Sequence, residues 1–144
     1  MNKKSYIRTK KIRKQLSNSL IKYFKPHNKK VYVYYKKLWN RFSDTYWSWL
    51  TGFFEGEGCL RISRRNHSIY RNKEIRLFIS QKDHKFLCKL KKQLQIGRVD
   101  KSNTIWSFNF SNKGAIKAFL ERIQPFLNLK KRKEKVKLCL KILK

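Results

Sequence analysis

The sequence predicts an α+β fold: an αββαββα core with an antiparallel, saddle-shaped sheet, closed by a terminal basic helix. Two pairs of short stretches alternate apolar and polar residues, Cys59–Arg65 with Glu74–Ser80 and Gly97–Lys101 with Thr104–Phe110, as hairpin strands do. Between and around them the apolar residues switch to helical spacing. Gly58, Asn112 and Pro125 stand where those helices should end or begin.

Trp47–Glu57 reads as the first core helix, stopped by Gly58. In the first strand Leu60 and Ile62 face the core, and Arg61, Ser63 and Arg65 face out. After the polar loop Asn66–Lys73, Ile75, Leu77 and Ile79 face in, with Arg76 and Ser80 opposite. His84–Leu94 returns to helix, with Phe86, Leu87, Leu90 and Leu94 on one side. The second hairpin turns at Ser102-Asn103; Trp106, Phe108 and Phe110 share one face, and Ser107 and Asn109 the other. Asn112 caps a helix through Ile123, Pro125 breaks it, and Leu129–Leu143 ends the chain as a basic helix. Helices on one face of such a sheet leave the other face free for a ligand.

Upstream, residues 1–45 read as a separate, basic nucleic-acid-binding extension, and 46–144 as the folded domain. The extension carries 14 Lys and Arg against one acid, Asp44. Lys10–Phe24 has helical spacing through Ile12, Leu16, Leu20 and Phe24; Pro26 ends it, and Val31–Tyr35 reads as a short extended aromatic run.

The 144 residues carry 38 Lys and Arg against 8 Asp and Glu, a formal charge of +30, which implies a polyanionic partner such as DNA or RNA. A hydrophobic content of 40%, with 15% aromatic residues, is too rich for a disordered chain. No apolar run approaches the roughly 20 residues of a membrane span. Cys59, Cys88 and Cys139 are odd in number and unpaired in spacing, which argues against disulfides and zinc. The first 30 residues are basic and acid-free, as in a mitochondrial presequence, yet poor in the small residues such segments carry.

Trp47–Leu60, WSWLTGFFEGEGCL, holds the most chemistry. Glu55 and Glu57 lie in an apolar, glycine-punctuated stretch, where a carboxylate is costly unless a cation meets it. A helix separates them by about 200°, so one metal cannot take both. Glu57 falls at the C-terminal end, where the helix dipole disfavours an anion. Gly52 and Gly56 share a face with Trp49 and Phe53; small residues at that spacing let a second helix approach closely, which suggests a close-packed partner.

Leu50-Thr51-Gly52-Phe53-Phe54-Glu55-Gly56-Glu57-Gly58 resembles the LAGLIDADG motif of homing endonucleases. Leu50, Gly52 and Gly58 match outright, and both acidic positions are acidic. Phe78-Ile79-Ser80-Gln81-Lys82 resembles the end of the family's second strand, and Gln124–Lys130 (QPFLNLK) its turn into the last helix. The resemblance covers about residues 46–143 and implies the family's αββαββα core. It implies Glu57 as the Mg²⁺-binding carboxylate, in place of the more familiar Asp, with Glu55 structuring the motif helix. Gln81 would position the attacking water, and Lys130 would stabilise charge developing on the phosphate. Lys85 is a further basic residue for that pocket.

One copy of the motif implies a homodimer, because two strands need two sites, and its interface would be the Gly52, Gly56, Trp49 and Phe53 face of the motif helix. Each sheet would follow half of a DNA site, with Arg61, Ser63, Arg65, Arg76, Ser107 and Asn109 as candidate contacts and Lys85, Lys131 and Arg132 as further basic ones. The leading expectation is a site-specific, Mg²⁺-dependent DNA endonuclease. The alternative is a non-catalytic RNA-binding protein on the same fold, an intron maturase or a part of a mitochondrial ribosome among ribosomal proteins, favoured by the charge and the long extension. AT-rich composition together with this family points to an organelle, most simply a mitochondrion.

Overall fold

The computed structural model describes residue 15, residues 27–64 and residues 73–144. The helix expected over Lys10–Phe24 and most of the loop after β1 lie outside them. Helix α1 covers 27–39 and leads into α2 (Asp44–Glu57), β1 (Gly58–Arg64), β2 (Lys73–Gln81), α3 (His84–Leu94), β3 (Arg98–Ser102), β4 (Ile105–Phe110) and α4 (Lys113–Ile123). A 3-10 turn at Gln124–Phe126 follows, then α5 (Lys130–Ile142). The strands form one antiparallel sheet in the order β1-β2-β4-β3.

Local chemistry sets the helix ends. The side chains of Ser43, Asp83 and Asn112 accept from the backbone N–H three residues on, at 3.2, 3.0 and 3.1 Å, and so start α2, α3 and α4. Helix α2 therefore begins three residues earlier than its apolar pattern indicates, because Ser43 offers the cap and Asp44 suits the positive end of the dipole. At its other end Gly58 is obligatory: a Cβ there would collide with the Phe54 ring and come within 2.5 Å of the Phe54 carbonyl.

The core lies between the inner face of the sheet and α2, α3 and α4. Leu60, Ile75, Leu77, Ile79, Phe108 and Phe110 come from the strands; Trp47, Leu50, Phe54, Leu87, Leu90, Leu94, Ile116, Phe119 and Leu120 come from the helices. The inward sets expected for β2 and for Phe108 and Phe110 hold, whereas Trp106, at the sheet end, is half-buried against His84, with ring centroids 4.0 Å apart.

The extension differs most from expectation. Val31–Tyr35 is helical, not extended, and residues 27–45 pack into the domain instead of standing apart from it. Val31, Tyr32, Tyr35, Leu38 and Trp39 recur at helical spacing and form the buried stripe of α1. Trp39 is 1% exposed, donates from Nε1 to the Leu94 carbonyl at 3.0 Å, and meets the Trp47 and Phe119 rings. Gly114 makes room for the crossing: a Cβ there would strike the Asn28 carbonyl and lie 2.7 Å from the Tyr32 nitrogen.

Burial raises the Tyr46 hydroxyl to a pKa of about 12. The folded state therefore holds this proton more tightly than the unfolded chain, whose tyrosines ionise near 10. Its contribution is complete below pH 10 and is lost as pH rises from 10 to 12. Alkaline unfolding in that window should weaken in Tyr46→Phe, as followed by far-UV circular dichroism.

Candidate active site

Glu55 and Glu57 leave α2 in opposite directions, as their helical separation requires, and meet opposite surroundings. Glu55 is 9% exposed, and its Oε1 accepts from the backbone N–H of Asn128 at 2.7 Å and of Leu129 at 2.8 Å. These donors precede α5, which has no side-chain cap of its own and four cations, Lys130–Lys133, in its first turn. A buried carboxylate thus holds the turn into the last helix, against the dipole penalty of that basic start. The resemblance implies that Glu55 structures the motif helix; its hydrogen bonds instead go to the turn into α5. Glu55→Ala should cost about 3 kcal/mol in urea unfolding, because it removes two hydrogen bonds to an ionised acceptor. Glu55→Gln, which keeps an oxygen there, should cost clearly less; equal losses for the two variants would count against this assignment.

Glu57 is exposed at the C-terminal end of α2. Most of the chain's eight acids are engaged: Asp44 with Arg122 at 2.7 Å, Glu74 with Arg76 at 3.0 Å, Asp100 with Arg98 at 2.9 Å, Glu121 with the Tyr32 hydroxyl, and Asp83 as the α3 cap. Among the described residues Glu57 and Glu134 are the carboxylates without a protein partner, and Glu134 sits on the solvated lysine face of α5.

Register and hydrogen bonding bring the three polar positions to one end of the sheet. Gly58 pairs with Ile79, so Glu57 and Gln81 lie at the same end of the β1–β2 ladder. Gln81 Oε1 accepts from the Lys82 N–H at 3.0 Å. The Glu55 anchor draws the start of α5, and with it exposed Lys130, to the C-terminal turn of α2. The Arg132 Nη2 donates to the Glu55 carbonyl at 3.3 Å and its guanidinium lies 5.7 Å from the Phe54 ring centroid, so part of this half-buried arginine is engaged by the fold. Lys131 is exposed, as is Lys85 on the first turn of α3.

The opposite face of α2 is open. An added Cβ at Gly52 or Gly56 would meet nothing within 4 Å, and Trp49 is 47% exposed. Trp49 and Phe53 stack with centroids 6.1 Å apart and, with Ser48, Gly52 and Phe126, line an open groove of about 790 Å³. The four residues expected at a dimer interface therefore form one accessible surface.

The outer face of the sheet is partly as expected. Arg61 and Ser63 are exposed, and Arg61 lies directly opposite Arg76 across the ladder. Like charges so placed repel; here the Phe78 ring, 5.2 Å from the Arg61 guanidinium, and Glu74, against Arg76, offset the repulsion. Arg65 lies outside the described residues. Asn109 is 5% exposed and donates to Asp100 at 2.9 Å, so it is not available to a ligand. Ser107 is half-buried, with a hydroxyl that has no partner. Both positions lose exposure because β3 flanks β4 and brings Asp100 beside them. The same strand presents Arg98, which alternation along Gly97–Lys101 could have singled out.

A four-stranded antiparallel sheet with arginines on its outer face, and a helix that ends in an exposed carboxylate and bears an open glycine face, suit a protein that meets polyanions. A sequence model for the LAGLIDADG endonucleases matches residues 50–143, and the chain belongs to that family. Among solved structures, the homing endonuclease I-CvuI is 27% identical, with a TM-score of 0.60 over 69% of this chain and 66% of its own, just under two thirds; it was solved on a DNA target, uncleaved with magnesium present. The archaeal intron-encoded homing endonuclease I-Vdi141I, complexed with DNA, is 22% identical with a TM-score of 0.59 over 69% of this chain and 67% of its own. I-SmaMI, at 19% identity and a TM-score of 0.60, is matched over 36% of its length. The last two support the fold alone. No match was found among curated proteins.

Proposed function

We propose that this protein is a site-specific, Mg²⁺-dependent DNA endonuclease acting as a homodimer. The observation that carries the reading is the unpaired Glu57 carboxylate at the end of a helix whose glycine face is open. I-CvuI was solved with magnesium in one case and with calcium in another, which supports a divalent ion in the same role here.

The donor set fits such an ion only in an assembly. Among the described residues no group of three or more His, Cys, Asp or Glu could hold a metal. Two α2 helices packed through Gly52 and Gly56 would bring two Glu57 carboxylates together, and phosphate oxygens would supply further hard ligands. Mg²⁺, when bound, supplies Lewis-acid polarisation of the scissile phosphate. Glu57 would hold it, the Gln81 amide would orient water for attack, and the Lys130 ammonium would offset charge on the phosphate oxygens. Arg61, Arg76 and Arg98 steer the backbone of one half-site along the sheet. The composition fits an organelle with an AT-rich genome, most simply a mitochondrion.

The test combines cleavage with mass. The purified protein is offered a library of randomised duplex sites with Mg²⁺, and cut products are sequenced while analytical ultracentrifugation gives the size of the complex. Double-strand breaks at a two-fold-related site, made by a dimer, are expected. A monomer that binds duplex DNA and cuts none of the library would overturn the proposal.

A further inference from the structure

We propose that the outward side of α1 binds single-stranded nucleic acid, at a surface separate from the sheet. Charge is divided unevenly over the fold. On the outer face of the sheet, Arg61, Arg76 and Arg98 stand against Glu74 and Asp100, and two of the three arginines are already paired to those carboxylates. Residues 27–41 instead carry Lys29, Lys30, Lys36, Lys37 and Arg41, all exposed, with no acid among them; of these Lys36 faces a carboxylate, Glu121 of α4, at 4.0 Å. The chain before them adds nine more cations and no acid. Helix α1 lies outside the segment matched by the endonuclease family, so the family's DNA chemistry does not account for this charge.

Position separates the two surfaces. Helix α1 rests on the end of α3, through Trp39 to the Leu94 carbonyl and Tyr35 to the Gln95 carbonyl, and on α4 at Gly114. Helices α3 and α4 in turn cover the inner face of the sheet, so a duplex on the outer face leaves α1 behind the helical layer.

The side chains between the lysines name the ligand. Val31, Tyr32, Tyr35 and Leu38 turn inward, whereas Tyr34 is 56% and Val33 55% exposed. Tyr34 meets Tyr35 edge-on, with centroids 5.0 Å apart and planes at 86°. Beside it His27, Lys30, Ile96 and Asn112 line an acid-free groove of about 490 Å³, ample for a nucleobase. An exposed ring among phosphate-binding lysines is the arrangement that stacks unpaired bases. Duplex DNA keeps its base faces stacked inside and offers such a ring nothing.

Fluorescence anisotropy with the full chain and labelled 12-nucleotide RNA, DNA of the same sequence, and its duplex tests this. Tyr34→Ala should weaken single-strand binding by roughly 5- to 150-fold, the range for loss of one stacked base, and leave duplex binding unchanged. Tyr34→Phe should restore it, and Lys30→Gln with Lys37→Gln should flatten its salt dependence. Arg61→Ala with Arg76→Ala should do the reverse, weakening only the duplex. Tighter binding of RNA than DNA would add a 2′-hydroxyl contact, and equal binding would leave stacking and phosphates as the whole site; both support the proposal. Full displacement of the single strand by unlabelled duplex, or unchanged single-strand affinity in Tyr34→Ala, would overturn it. Because Tyr34 is exposed, the thermal melt of each variant serves as the folding control.

Discussion

Glu57→Gln is expected to lose at least about two orders of magnitude in Mg²⁺-dependent cleavage, and to fold as tightly as the parent. The substitution removes one charge and almost no volume. Among the described residues no protein group pairs with that charge: the Glu57 carboxylate is exposed, in contrast to Glu55 two residues earlier. An anion at the C-terminal end of α2 also opposes the helix dipole, so its neutralisation should raise stability slightly, by about 0.3–1 kcal/mol. In the proposed function the partner of this carboxylate is a divalent ion beside a phosphodiester. Duplex affinity measured in Ca²⁺, together with a thermal melt, separates chemistry from binding and folding. Cleavage undiminished in Glu57→Gln would remove Glu57 from the mechanism. A large fall in melting temperature would show that its role is structural after all.

The largest effect on stability should come from Trp39→Ala, at about 3–5 kcal/mol. Trp39 fills the space between Trp47 and Phe119, donates a buried hydrogen bond to Leu94, and its carbonyl accepts from Trp47 Nε1 at 3.2 Å. Truncation leaves a cavity no neighbour can close without moving α1, and it frees the Leu94 carbonyl. Against a total stability of 5–15 kcal/mol for an ordinary domain, that is a large share. Urea unfolding monitored by tryptophan fluorescence reads it, with Trp49, which is half-exposed, as a probe that should move less. The same reasoning makes a chain starting at residue 46 unstable, since it would uncover Trp47 and Phe119. Equal stability of that shortened chain and the parent would mean that α1 is an attachment and not part of the core.

Much of this was legible in one dimension because the signals are local. The strands announced themselves by alternation, α3 and α4 by Asp83 and Asn112 three residues before the amides they cap, and the end of α2 by Gly58. Glu55 and Glu57 could be assigned different roles from helical geometry before any neighbour was known, and the motif around them led to the family. Of the outward residues expected in β1, Arg61 and Ser63 are exposed, since exposure along a hairpin edge depends on little beyond the pleat.

What the sequence by itself determined was the family and the elements of the core from α2 to α5. These follow from hydrogen-bond geometry and apolar periodicity within a dozen residues. Only the tertiary structure decided where neighbours far apart in the chain would meet. It placed Trp39 in the core and made helical a segment whose aromatic run had read as a strand, because α4 offers Gly114 as a close crossing point. It buried Asn109 beside Asp100 and turned half-buried Arg132 toward the Glu55 carbonyl, and it set Glu55 at the start of α5. Burial and pairing between distant residues are properties of the packed chain, and no local pattern encodes them.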